Sequence, residues 1–162
     1  RPAMSLVEVH DFPDTGRGLR CTAPVPKGQP LLAVPLAGCW GAQGARAAPG
    51  LEALSSLPGV RDDDAVTLHL LLEDAKGEGS ARWLHIKDLP REFDMPVLWN
   101  DEEMAELQGS GALAVATRLR DETREDYDAL TRALHDGGAG HLVDACGLTW
   151  EKYLWGRCVM WS

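Results

Sequence analysis

Cysteine is scarce and scattered in this sequence. Its four cysteines are far apart, form no Cys-x-x-Cys pair, and have no histidine at a ligand spacing: Cys21, Cys39, Cys146 and Cys158. This pattern is typical neither of a structural zinc site nor of a disulfide-dense secreted scaffold. Because free cysteine is among the most frequently buried residue types, we expect four reduced, buried thiols.

The sequence also lacks long hydrophobic runs and an excess of positive charge. Its longest apolar stretch, residues 30–40, is too short to span a bilayer and is interrupted by Pro35 and Gly38. Acidic side chains outnumber basic ones by 25 to 16, for a net charge of −9. Such a charge repels phosphate backbones and anionic lipid head groups, so we predict neither a nucleic acid nor a membrane partner. A basic protein segment suits this surface better.

The composition is that of a folded protein, with 44% hydrophobic and 25% charged residues in a chain of 162. The first forty residues have the alternation of β-strands, which we expect at residues 6–9, 19–22 and 30–35. A turn between the first two contains Pro13, Asp14 and Gly16. Residues 38–59 are rich in Ala, Gly and Ser and predict a loop with a short helical piece.

The rest of the chain has the three-to-four-residue period of helices. Helices are expected from Asp62, from Asp101 behind an Asn100–Glu103 capping box, over residues 113–134, and from Trp150 behind a Thr149 cap. Residues 83–98 predict an irregular connection. A β portion followed by a helical portion indicates an α+β fold, with a domain boundary near residue 60 that separates 1–60 from 61–162.

Few residues suggest chemistry on their own. Gly16-Arg17-Gly18 would let a ligand approach the backbone, but without a family argument a plain hairpin turn is the favoured interpretation. Three consecutive acids, Asp62, Asp63 and Asp64, are best explained as a solvated first turn that matches the helix dipole.

The histidines are dispersed, and His69 within an apolar helix face is best explained as structural. We predict no metal site and assign no catalytic residue. The six tryptophans are expected to fill core positions rather than a substrate cage.

The order of several motifs resembles one family. Residues 14–22 (DTGRGLRCT) and 25–35 (VPKGQPLLAVP) resemble the opening strands of a SET domain, with its G-x-G-L-x-A turn and I-x-x-G-E-x-L-x-x-V-P strand. Three further motifs resemble the helical insertion of the Rubisco large-subunit methyltransferase group, which includes the actin-histidine methyltransferase: residues 68–73, residues 83–86 with 89–90, and residues 93–99. Residues 149–162 resemble the insertion helix T-x-E-x-F-x-W-A-x-x-x-V-x-S-R. The resemblance covers nearly the whole chain.

This resemblance implies a SET domain whose opening strands precede a mainly helical insertion, and transfer of a methyl group from S-adenosylmethionine to a side-chain nitrogen of a protein. It implies a monomer with a protein substrate, lysine ahead of histidine. The family's first cofactor-contacting segments correspond to two short stretches: Gly16, Arg17, Gly18 and Leu19, and then Gln29, Pro30 and Leu31. Gln29 stands where the family has Glu, and Pro30 lacks a backbone N–H.

The resemblance also implies that the 162 residues are a truncated domain. The family's arginine would directly follow Ser162, and its Asn-His motif and channel tyrosine would follow later, so we expect no activity from this chain alone. Two alternatives stay open at this point. One is a non-catalytic interaction module derived from a SET protein, and the other is an unrelated α+β domain. The compartment is not indicated; chloroplast, cytoplasm and nucleus are all compatible.

Overall fold

A computed structural model describes residues 6–162 of the chain. The chain divides into two compact units, of which the first ends at Cys39 and the second comprises Trp40–Ser162. The structure is mainly helical with one two-stranded sheet. The domain boundary near residue 60 stays a prediction about the family's organisation, while the compact units divide twenty residues earlier.

The N-terminal unit contains an antiparallel hairpin of β1 (Val7–Phe12) and β2 (Gly16–Cys21). Both strands are longer than the sequence predicted, so Arg17 and Gly18 lie in β2 rather than in the turn. A salt bridge between Glu8 and Arg20 joins directly opposite residues on one face. Opposite charges at such a position favour this register over a slipped one.

The prediction of a third strand over residues 30–35 is wrong. This run has no regular secondary structure and is not paired with another strand among residues 6–162. Its apolar side chains are exposed, with Leu32 at 63% and Val34 at 58%. Alternation predicts an extended backbone, but a strand also needs a hydrogen-bonding neighbour, and neither β1 nor β2 provides one here.

Seven α-helices are found in the second unit. They are α1 (Ala42–Arg46), α2 (Asp62–Ala75), α3 (Trp83–Ile86), α4 (Asp101–Ala105), α5 (Gly111–Asp136), α6 (His141–Ala145) and α7 (Trp150–Trp161). Short 3-10 helices occur at Leu36–Gly38, Glu52–Ser56 and Gly77–Gly79. The predicted helices α2, α4, α5 and α7 are confirmed, as is the short helical piece expected within residues 38–59, which is the 3-10 helix Glu52–Ser56. The sequence did not indicate α1, α3 or α6, which have only four or five residues each.

Side-chain caps fix where three of these helices begin. The Asn100–Glu103 capping box is present, with Glu103 N–H donating to Asn100 Oδ1 at 2.9 Å and Asn100 N–H donating to Glu103 Oε2 at 2.8 Å. Thr149 Oγ1 accepts from Lys152 N–H at 3.3 Å before α7. Ser110 Oγ accepts from Ala112 N–H at 3.2 Å before α5. Each cap satisfies a backbone donor that has no partner within its helix.

The core of the second unit consists of two clusters. The larger one joins residues before α2, the buried face of α2, the end of α5 and the chain from Ala139 to Tyr153, including Leu51, Leu54, Leu68, Leu71, Leu130, Leu134, Leu142 and Tyr153. The smaller one is formed by Val97, Leu154 and Cys158, with Trp150, Trp161, Leu119, Phe93 and Met95 packed against them. Trp150, Leu154, Cys158 and Trp161 therefore lie on one face of α7. All six tryptophans are partly buried.

The cysteine prediction is right for two residues and wrong for two. Cys146 and Cys158 are buried, whereas Cys21 and Cys39 are exposed, and all four are free thiols. Burial raises the pKa of the Cys146 thiol to about 11, so that this residue is unreactive. Cys21 is the last residue of β2, in a sheet that has two strands among residues 6–162.

Candidate functional site

The predicted cofactor-contacting residues begin at the turn of the hairpin. Pro13, Asp14 and Thr15 form the loop between Phe12 and its register partner Gly16. Gly16 has a φ of +74°, in the left-handed region that glycine reaches without steric cost. A three-residue hairpin loop followed by a left-handed glycine is a common arrangement, so Gly16 has a structural explanation independent of any ligand.

The register of the hairpin decides which backbone groups of β2 are open. Thr22 N–H donates to Leu6 C=O at 3.0 Å, which makes this pair hydrogen-bonded. Because hydrogen-bonded and non-hydrogen-bonded pairs alternate in an antiparallel ladder, the pairs Asp11–Arg17 and Val9–Leu19 are of the second kind. The N–H and C=O of Arg17 and Leu19 therefore face away from β1, along the outer edge of β2, where a ligand could bind them.

Gly18 is constrained by its neighbour across the hairpin. A Cβ atom at Gly18 would lie 3.2 Å from Cε2 of the Phe12 ring, and the same ring packs edge-on against His10 with ring centres 4.8 Å apart. A larger residue would displace this ring. Gly18 thus allows Phe12 to lie over β2, which again is a structural role.

The second predicted segment follows a tight turn. Gln29 N–H donates to Pro26 C=O at 3.1 Å, and Gly28 has a φ of +89°. This is the arrangement of a turn that requires glycine at its third position. Gln29 and Pro30 are exposed, and Leu31 is 44% exposed. The N–H of Gln29 is occupied by the turn, so that segment offers a ligand fewer donors than β2 does.

The sequence missed a buried polar pair that joins α2 to α7. Asp64 was expected in a solvated turn, but it is only 2% exposed, in contrast to Asp62 and Asp63. The Tyr153 hydroxyl donates to Asp64 Oδ1 at 2.9 Å, and the backbone N–H of Arg61 donates to Oδ2 at 3.2 Å. Burial, and then the negative charge of Asp64, raise the pKa of Tyr153, which stays a neutral donor.

Arg157 is a second buried polar group on α7. It is 6% exposed, its Nη1 lies 3.4 Å from Asp63 Oδ2, and its guanidinium stacks over Trp161 at 5.2 Å from the ring centre. Its Nε and Nη1 donate no hydrogen bond within residues 6–162. The ion pair with Asp63 and the stacking on Trp161 offset part of the free-energy cost of removing the guanidinium from water.

His69 has the structural environment that its position in α2 predicted. It is 6% exposed, and Trp40 packs edge-on against its ring with centres 4.9 Å apart. Burial lowers the pKa of His69, and the positive charge of Arg82 lowers it further. Its Nδ1 has no hydrogen-bond partner in the described part of the chain. The imidazole is therefore held in its neutral form.

Residues 6–162 contain no group of three His, Cys, Asp or Glu side chains that could hold a metal ion. Within the same residues, no helix combines the length and the apolar character that are needed to cross a bilayer.

Comparisons with known proteins give a consistent picture. No family model matches the chain. It is 27% identical over 153 residues to the actin-histidine N-methyltransferase of Xenopus tropicalis, covering 91% of this chain and 26% of that protein. The protein of the same name from Danio rerio is also 27% identical over 153 residues, covering 91% of this chain and 25% of that protein. The chain thus spans about a quarter of the length of these curated relatives.

A solved structure matches the fold. Rubisco LSMT bound to sinefungin and monomethyllysine superposes with a TM-score of 0.75 at 21% identity, covering 94% of this chain and 34% of that one. This chain therefore has a fold like that of the SET-type protein methyltransferases, over about a third of the length of the matched structure.

Proposed function

We propose that this chain is part of an S-adenosylmethionine-dependent protein methyltransferase. Residues 16–19 and 29–31 would form part of its cofactor-binding site, and we call these residues the cofactor wall. The observation that carries the proposal is the match of 94% of the chain to a structure that holds sinefungin and monomethyllysine. The names of the curated relatives support the same class of reaction. We take lysine as the target because of the monomethyllysine in the matched structure; histidine is the alternative that the relatives suggest.

The N-terminal unit fits the cofactor in part. The outer edge of β2 offers the backbone N–H and C=O groups of Arg17 and Leu19, which can bind the polar atoms of an amino acid or a nucleoside. Gln29 offers a neutral amide where the family has a carboxylate, and Pro30 has no N–H to donate. We therefore place the stronger contacts at Arg17 and Leu19.

When bound, S-adenosylmethionine supplies a methyl group on a positively charged sulfur, and its transfer to a nitrogen lone pair leaves the neutral thioether and an additional proton to be released. The contribution of this chain is to bind and orient. Alignment of reacting atoms and exclusion of water account for several kcal/mol of many barriers, on the order of 7–11 in favourable cases. A fixed strand edge suits that role because its amides are already aligned.

We also propose that the 162 residues do not transfer methyl groups alone. They contain no Asn-His pair, which the resemblance places at the cofactor pocket, and no residue in them is assigned a catalytic role. The test is incubation of the chain with tritium-labelled S-adenosylmethionine and lysine-rich proteins or actin. Robust turnover would refute this part of the proposal and leave the cofactor wall to be judged separately.

Titration calorimetry with sinefungin tests the cofactor wall. We expect saturable binding to the wild-type chain. Leu19→Pro removes the outward-facing N–H of Leu19 but no hydrogen bond of the ladder, so the hairpin should tolerate it. The loss of one hydrogen bond to the ligand should weaken binding by about tenfold.

The matched control is Val9→Pro. Val9 is the register partner of Leu19, and its N–H faces the outer edge of β1 instead. Both substitutions carry the same conformational cost, which circular dichroism of the two variants can verify. Equal sinefungin affinity of the two variants would contradict the assignment to β2, and absence of saturable binding to the wild-type chain would contradict the cofactor wall altogether.

A further inference from the structure

An apolar groove lies between the start of α5 and the segment that contains α4. We call it the α4–α5 groove, and its lining residues are Pro96, Leu107, Gly111, Ala112, Val115, Ala116 and Leu119. Its volume is about 440 Å³. This is within the usual range of ligand-binding pockets, yet none of the residues proposed for the cofactor belongs to it.

The floor and the rim of the groove differ in burial. Ala116 is 6% exposed, and Leu119 packs against the smaller core cluster, so the floor is firmly held. At the rim, Val115 is 59% exposed. Leu98, in the segment before α4, is 41% exposed. Glycine and alanine at positions 111, 112 and 116 keep the groove open, because no large side chain of α5 fills it.

The segment that forms the groove carries charge of one sign. Between Arg91 and Arg118 the sequence has six acidic residues and no lysine or arginine. Three of the acids have partners: Asp94 accepts from Trp99 Nε1, Asp101 pairs with Arg120, and Glu103 caps α4. The other three are exposed, and their carboxylates have no hydrogen bond or ion pair in the described part of the chain: Glu92, Glu102 and Glu106.

We propose that the α4–α5 groove binds an amphipathic segment of another protein, with apolar side chains on one face and lysine or arginine beside them. Apolar side chains would cover Val115 and the floor, in the manner of a helix in a groove. Basic side chains would meet Glu102, in α4, and Glu106, which directly precedes the lining residue Leu107. The proposal is independent of methyl transfer, because binding requires no cofactor.

The charge of the groove argues against other occupants. Nucleic acids and anionic membranes would be repelled by the unpaired carboxylates. A second copy of this chain would bring the same carboxylates, in a protein whose net charge is −9, to an interface that lacks basic residues of its own. A basic segment is the occupant for which both the apolar and the charged features are favourable.

Fluorescence anisotropy with a labelled model peptide tests the apolar part. The probe is a helical peptide composed only of leucine and lysine, with all leucines on one face. We expect the wild-type chain to bind it saturably. Val115→Gln should weaken it by about tenfold, since it replaces the exposed apolar rim without adding charge. Ala114→Gln is the matched control, one residue away on another face of α5, and should bind like the wild type.

The charged part is tested with the double variant Glu102→Lys/Glu106→Lys. It should weaken peptide binding by about tenfold or more, and about 0.5 M salt should weaken binding to the wild type similarly. Glu125→Lys, further along α5, serves as the control that adds a positive charge outside the groove. A leucine and glutamate peptide of the same pattern should not bind.

Several results would overturn the proposal. Wild-type affinity in Val115→Gln would show that the peptide binds elsewhere, and equal affinity for the acidic peptide would remove the charge argument. Sedimentation of the chain as a dimer that Val115→Gln dissociates would identify a second copy as the occupant instead.

Discussion

Burial of a single side chain can change the role of a residue whose type suggests a surface position. Asp64 follows two exposed aspartates in the first turn of α2, yet its carboxylate lies inside and accepts hydrogen bonds from Tyr153 and Arg61. At 3.6 residues per turn the third position faces a different side from the first, and here α7 lies on that side. A run of three acids does not show which of them turns inward.

Removal of the Tyr153 hydroxyl should therefore be costly. Tyr153→Phe keeps the buried ring but leaves Asp64 Oδ1 without its donor, and an unsatisfied buried acceptor costs about 1–3 kcal/mol. Urea unfolding monitored by tryptophan fluorescence gives the change in the free energy of unfolding. Tyr127→Phe is the matched control, because Tyr127 packs in the same aromatic group but is only partly buried. Equal stability of the two variants would mean that the Tyr153–Asp64 bond contributes nothing.

His69 should make stability depend on pH in a defined direction. Because its pKa is lowered in the folded state, the unfolded chain binds the proton more tightly, and the free energy of unfolding must fall as the pH drops below about 6.5. His69→Leu should reduce this fall between about pH 7.5 and pH 5.5.

The pH comparison needs urea unfolding curves at the two pH values for three proteins. The control is His141→Gln, an exposed histidine at the start of α6, which should retain the wild-type dependence. Arg82, Glu73 and Lys76 surround His69 and remain in all three. If His69→Leu loses as much stability as the wild type on acidification, the buried imidazole is not the cause.

At the scale of elements, the sequence predicted best where local chemistry decides the structure. Asn100 and Glu103 determine the start of α4 through hydrogen bonds three residues apart, and Thr149 does the same for α7. Residues 30–35 show the opposite case, because a strand depends on a partner that its own sequence does not specify. The short helices α1, α3 and α6 were missed because four or five residues contain about one turn of periodicity.

The packing of α2 against α7 depends on a glycine. A Cβ atom at Gly156 would lie 2.9 Å from Cγ2 of the buried Thr67, which is too close for carbon atoms. We expect Gly156→Ala to destabilise the chain by about 1–3 kcal/mol, since overpacking outweighs the better helix propensity of alanine. Chemical denaturation measures the change.

Two further variants test this explanation of Gly156. Thr67→Ser removes the Cγ2 methyl group and can keep the hydroxyl bond to Asp63 C=O at 2.9 Å, so it should recover part of the loss when combined with Gly156→Ala. Gly44→Ala in α1, where an added Cβ meets nothing within 4 Å, should have a neutral or stabilising effect. Additive effects of the first two substitutions would exclude the proposed contact.

For the whole molecule, the sequence identified the fold through the order of its motifs more than through any single residue. The candidate site residues lie in β2 and at the end of the turn that contains Gly28, and their functional role stays a prediction. Gly16 and Gly18 each have a structural explanation in the hairpin, and only the register showed that Arg17 and Leu19 have open backbone groups. The periodicity of the sequence could not predict which register pairs are hydrogen-bonded. That follows from the bond between Thr22 N–H and Leu6 C=O, two residues that lie just outside the strands.

The division into compact units leads to a prediction about folding. Both core clusters are formed by residues of Trp40–Ser162, so a chain of residues 40–162 should fold with a cooperative thermal transition close to that of the full chain. A chain of residues 61–162, which begins at the sequence-predicted domain boundary, lacks the buried side chains of Ala45, Leu51 and Leu54. Loss of buried leucines costs about 2–5 kcal/mol each when they are replaced by alanine, and deletion should cost at least as much. Near-ultraviolet circular dichroism and calorimetry compare the two chains. Equal stability of the two chains would place the boundary of the folding unit near residue 60. A stable 40–162 chain and a poorly packed 61–162 chain would instead show that residues 40–60 belong to the helical unit. The hairpin, which both chains lack, should contribute little to stability, because a two-stranded hairpin alone is marginally stable at best.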